Sequence, residues 1–155
     1  IYTLKATLYE MATELAMDVT SEQDISKLES YVKKMEVCVE KEPLDVLRYQ
    51  DLHKTFHDSI MGIAGNDRLR TFALNLHNQV TLFSYKSLQD KKHLHSSIRY
   101  HRDIVNAMKN KDGSLACRLM KEHVFNALDV LRDMSAQGSE TPADLRPGKV
   151  VSASE

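Results

Sequence analysis

An all-α fold, an antiparallel bundle of six or seven helices with a metal site in its core, is what this sequence predicts. Three observations carry the prediction. Apolar residues recur at three-four spacing along most of the chain, and no stretch shows the alternation of a strand. Five glycines and three prolines occur in 155 residues, mostly where helices need to stop. Four histidines also stand where inward-facing stripes should be apolar.

The first helix covers about residues 2–18, with Leu4, Leu8, Met11 and Leu15 on one face, expected to point inward. "VTSEQD" restarts the chain: Thr20 or Ser21 can cap the second helix, with Gln23 or Asp24 three residues on. That helix places Ile25, Leu28, Val32, Met35 and Val39 on a core stripe. "KEPLD" opens the third helix, with Pro43 suited to its first turn. It ends at "IAGND", where Gly65 fits a left-handed position and Asn66 or Asp67 can cap the next helix.

The fourth helix lines up Leu69, Phe72, Leu76, Val80 and Phe83. The pattern breaks at "QDKKHLHSS", which reads as a loop with His93 and His95 solvated. A fifth helix spans residues 96–110, Asp112 caps after the "NKDG" turn, and a sixth helix spans 114–134. These helices make one domain over 1–136, and the polar, aperiodic residues 137–155 read as a mobile tail. The chain opens on Ile1 rather than methionine and enters helical periodicity at once, the pattern of a domain cut from a longer chain.

His53 and His57 lie on the stripe Val46, Gln50, His53, His57, Ile60, Ala64. His101 lies between Ile98 and Val105, and His123 between Met120 and Ala127. A buried imidazole without a partner is costly, so each needs a hydrogen bond or a metal. His101 is eleven residues before Asp112 and His123 eleven after it. In an antiparallel pair both then stand about 16 Å from the turn and face each other. With His53 and His57 one turn apart on a third helix, four imidazoles can converge, which is metal-ligand chemistry built in a bundle core. Four nitrogens suit Zn²⁺, Ni²⁺, Co²⁺, Fe²⁺ or Cu²⁺ better than Mg²⁺ or Ca²⁺, and zinc is expected on abundance. The competing reading is a histidine network bonded to Tyr49, Gln50, Asn126 or water.

Composition removes other classes. A formal net charge of −1, from 21 basic and 22 acidic residues, gives no reason to expect a nucleic-acid surface on this chain. No apolar run approaches the length of a membrane span. Cys38 and Cys117 show no paired spacing and read as inert thiols in a reducing, cytoplasmic setting. The methionines, spread over core stripes, read as packing.

Three stretches, "TLYEMATELAMDVTSEQDISKLE", "HKTFHDSIMGIAGNDRL" and "HRDIVNAMKNKDGSLACRLMKEH", resemble the C-terminal ligand-binding (FCD) domain of FadR-type GntR transcription regulators. The resemblance covers about residues 1–135. It implies the metal-containing kind, in which one acidic residue and three histidines bind a divalent metal and a small carboxylate or sugar acid binds at or beside it. The three histidines fall on His57, His101 and His123, and the acidic position falls on His53. Four neutral imidazoles would leave a divalent ion its full charge, which favours an anionic effector. Lys5 stands where that family commonly has an arginine, keeping the charge but losing the bidentate fork. The family's winged helix-turn-helix DNA-binding domain is absent from this chain, so DNA binding and dimerisation are implied by the resemblance alone.

The expected function is therefore effector sensing, with Lys5, Gln50, Asn126 and His77 as candidates for the effector pocket. A structural metal module for dimerisation is the alternative, because four protein ligands can close a tetrahedral site. A metallohydrolase is disfavoured: "HKTFH" has Lys54 where an H-E-x-x-H site has its general base, and Asp51 and Asp58 aim away from the histidines. We expect no enzyme here.

Overall fold

The computed structural model describes residues 1–138, with side chains to residue 136. Among the described residues the chain forms six helices and no strand: α1 (Tyr2–Met17), α2 (Glu22–Glu40), α3 (Val46–Ile63), α4 (Asp67–Leu88), α5 (Lys91–Lys109) and α6 (Gly113–Gly138). Helix α1 packs chiefly on α6, α5 lies between α2 and α6, and α3 is held between α2 and α4. The tail expected from residue 137 begins as the last turn of α6, and 139–155 lie outside the described residues.

Side-chain caps set the helix starts. Ser21 accepts from the Asp24 amide while Asp24 accepts from the Ser21 amide, a reciprocal capping box. Asn66 accepts from Leu69 N at 3.0 Å, and Asp112 from Leu115 N at 2.9 Å. Gly65 has φ 65°, the left-handed conformation glycine adopts at no steric cost. Pro43 is not in the first turn of α3. It precedes the helix behind a cis Glu42–Pro43 bond, and Asp45 is the cap, accepting from Arg48 N.

The stripe on α2 is buried as expected, that on α1 faces largely outward, and of the α4 stripe Leu69 and Val80 are buried. In α1, Leu4, Met11 and Leu15 face outward, and the inward face is Lys5, Ala6, Tyr9, Ala12, Thr13 and Ala16. Small alanines let the α1 and α6 backbones approach, and Thr13 satisfies its hydroxyl on the Tyr9 carbonyl at 2.8 Å. In α4, Phe72 and Phe83 are exposed, and the inward line runs Leu69, Ala73, His77, Val80, Ser84.

The expected loop before α5 is also helix. Asp90 accepts from His93 N at 2.7 Å and starts α5 at Lys91, leaving two residues between α4 and α5. His95 is exposed as expected, but His93 is buried.

Candidate metal centre

Three helices bring four histidines to one point. His53 and His57 come from successive turns of α3, His101 from the middle of α5 and His123 from α6, all of them buried. Their Nε2 atoms face one another. His53, His57 and His123 form a triangle with sides of 3.3, 3.2 and 3.2 Å, and His101 Nε2 lies 3.3 Å from that of His57. All four ligand atoms lie within 4.8 Å of one another.

Packing fixes the rings. His57 stacks on His123 with centroids 5.2 Å apart, the Tyr9 ring lies tilted 4.9 Å from His57, and Phe56 meets His101 edge-on at 4.8 Å. Burial pushes all four imidazoles well down from their ordinary value, His101 to about 3. Neighbouring histidines and the Lys5 charge push His53, His57 and His123 the same way. The rings are therefore neutral near pH 7, the state that ligates metals.

Hydrogen-bond accounting separates a polar network from a metal site. A neutral imidazole has one N–H and one lone pair, so four Nε2 atoms can form at most two mutual hydrogen bonds. Only two of the four Nε2 contacts at 3.2–3.3 Å can then be hydrogen bonds, and the other two are left unsatisfied. The Nδ1 atoms of His53, His57 and His123 are buried without a hydrogen-bond partner in the protein. A divalent ion would engage all four Nε2 lone pairs at once. The donor set fits such an ion.

Beside this cluster lies a cavity of about 20 Å³, room for about one water. Lys5, Tyr9, Ser84, Ser87 and His93 line it together with His53, His57 and His123. Lys5 is 4% exposed, and its ammonium has no hydrogen bond or ion pair among the described residues. It sits 5.0 Å from the Tyr9 ring centroid and 5.9 Å from that of Tyr2. Burial lowers its pKa to about 8.

The other expected pocket residues divide. His77 is buried and borders a second small cavity that touches His57 and Tyr9 on the α4 side. Gln50 lines neither of these cavities; its amide donates to the Thr81 carbonyl at 2.9 Å and ties α3 to α4. Asn126 lies behind His93, its Oδ1 3.1 Å from His93 Nδ1. Asp58 is held by a bidentate pair with Arg70, and Asp51 is exposed.

His93, Ser84 and Ser87 were not among the expected site residues. The α5 periodicity run backward from His101 reaches Ser97 and then His93, four residues at a time, and is the signal for it. The serines carry no such mark.

A match to the FCD domain family spans residues 1–126. The chain belongs to the FCD family. This FCD domain is 20% identical over 142 residues to an uncharacterized HTH-type transcriptional regulator, YdhC, of Bacillus subtilis (strain 168). That match covers 90% of this chain and 62% of the relative. The fold is similar to that of E. coli McbR/YncC, with a TM-score of 0.76 and 17% identity over 85% of this chain and 66% of that one. The FCD domain thus spans a little under two thirds of each.

Proposed function

We propose that this FCD domain is the effector-sensing part of a GntR-type transcription regulator. In this reading His53, His57, His101 and His123 hold a divalent transition metal, zinc first and nickel, cobalt, iron or copper as alternatives. The observation that carries it is the convergence of four buried, neutral imidazoles, their ligand atoms all within 4.8 Å of one another and four Nε2 pairs at 3.2–3.3 Å. A bound ion would keep its full +2 charge among neutral ligands. The unpaired Lys5 ammonium adds a positive charge beside it, so the ligand to expect is a small carboxylate or sugar acid. Ser84, Ser87 and His93 join Lys5 as the pocket wall, His77 lines the second cavity on the α4 side, and Asn126 acts through His93. Gln50 stays a weaker candidate because its amide is already engaged.

DNA contact belongs in this proposal to a winged helix-turn-helix domain outside this chain, as the HTH-type relative suggests. A homodimer fits the apolar side chains left exposed on α1 and α4, among them Leu4, Met11, Phe72 and Phe83. No described helix is long and apolar enough to cross a membrane, and we place the regulator in the cytoplasm. No enzymatic role is proposed, since Lys54 offers no general base and Asp58 is tied to Arg70.

Thermal unfolding tests the reading. Stoichiometric Zn²⁺ should raise the midpoint of the chelator-stripped protein, and small carboxylates should raise it further only when metal is bound. A midpoint indifferent to Zn²⁺ would contradict it.

A further inference from the structure

An ion bound by the four histidines must reach rings that are all buried, so its route in is a property of the fold. Two cavities touch the cluster, and their walls differ. The one beside Lys5 is walled by buried side chains apart from the half-buried Ala127. The one on the α4 side runs between α3 and α4, from the exposed Lys54, Arg70 and Leu74 to the buried His57 and His77. It therefore grades from solvent to one of the four cluster histidines.

Three features of this second cavity bear on an ion in transit. It measures about 20 Å³, room for about one water, so a divalent ion cannot carry its hydration shell through and needs a protein donor on the way. His77 is such a donor. It is 3% exposed, and its Nδ1 is buried without a hydrogen-bond partner in the protein. Burial brings its pKa to about 4, so the ring is neutral at pH 7, the ligating state. His77 is not one of the four residues whose ligand atoms lie within 4.8 Å of one another, so it stands outside the final set. At the mouth, Asp58 of α3 and Arg70 of α4 join in a bidentate pair at 2.8 and 2.7 Å. Both side chains are more than a third exposed, so the pair costs little to part.

Resting on the reading that the four histidines hold a transition metal, we infer that the ion enters and leaves between α3 and α4, with His77 as a transfer ligand and the Asp58–Arg70 pair as a latch over the mouth. His77 stands in for lost water at the step where the ion sheds its shell, and so lowers the barrier in both directions. It touches the ion only in passage. It therefore sets the rates of uptake and release and leaves the affinity to the other four. The latch has the opposite effect, slowing both rates while it is closed.

Stopped-flow kinetics on the stripped domain test the inference. Co²⁺ uptake is followed by visible absorbance, release by a chelator in such excess that more of it no longer changes the rate, and affinity by chelator competition. His77→Leu should slow uptake and release together by about tenfold, the kinetic equivalent of one lost polar contact, with affinity unchanged. His77→Gln, expected to behave alike, replaces it should circular dichroism show the leucine variant unfolded. Arg70→Met and Asp58→Ala should each speed both rates. The second variant is the sharper, because loss of a negative charge would slow a cation if the pair acted through its field alone. Wild-type rates in the His77 variants, or an affinity that falls in step with release, would overturn the transfer role. Slower or unchanged uptake in Asp58→Ala would overturn the latch. Failure of the wild type to bind Co²⁺ at all would overturn the metal reading, and the inference with it.

Discussion

His57 is the hub of the cluster, its Nε2 lying 3.2–3.3 Å from those of His53, His101 and His123. Its removal opens every short edge but one. His57→Ala should therefore surrender metal to a competing chelator that His95→Ala, altered only at an exposed position, withstands; equal resistance would contradict the assignment. Lys5 makes a prediction of opposite sign for the metal-free protein. Its folded pKa of about 8 lies below its ordinary 10.5, so the unfolded chain binds the proton more tightly. Burial of the charge therefore costs stability below about pH 8, and that cost fades as pH rises toward 10.5. Lys5→Met should stabilise the stripped domain by about 2–3 kcal/mol at pH 7 in urea unfolding, and destabilisation would contradict an unpaired ammonium. The four histidines were legible because each interrupts an apolar stripe. His93 was not, since the stretch before it is polar and its burial depends on α6 supplying Asn126.

At the scale of elements, two neighbouring residues of α1 separate the buried face from the exposed one. Ala16 is fully buried, whereas Leu15 is 38% exposed. Ala16→Leu should cost about 1–3 kcal/mol through overpacking. Leu15→Ala should change urea stability by less than about 0.5 kcal/mol; the reverse order would mean that α1 is turned the other way. The Asp90 cap makes a similar test for α5, since Asp90→Ala should cost about 1 kcal/mol. Periodicity alone missed this α1 face because large apolar residues and alanines both repeat at helical spacing. Which face is buried is settled by how closely the partner helix approaches. On α2, where Ile25, Leu28, Val32, Met35 and Val39 share one face and Val37 is the exposed exception, the pattern and the burial agree. In α4 the inward line holds a histidine and serines because it faces the polar cavities, and the phenylalanines are left outside.

For the whole molecule, the polar core ties stability to pH and metal. Burial lowers the pKa of His53, His57, His77, His93, His101 and His123, with His77 brought to about 4 and His101 to about 3. Below about pH 6.5 the unfolded chain takes up protons that the folded one refuses, so stability falls as pH falls, by ~1.4 kcal/mol per unit for each such group. The loss should run from about pH 6.5 toward pH 4, and the four clustered rings alone should remove about 5 kcal/mol by pH 5.5. A urea midpoint of stripped protein unchanged between pH 7.5 and 5.5 would contradict buried neutral rings. Metal should oppose this loss at neutral pH by binding only the folded state. The most direct test of the central claim is the metal content of protein purified without chelator, wild type beside His101→Ala/His123→Ala. About one equivalent of a transition metal in the wild type, lost in the variant, is the predicted result. A wild type that carries none, and takes up none when Zn²⁺ is supplied, would contradict it.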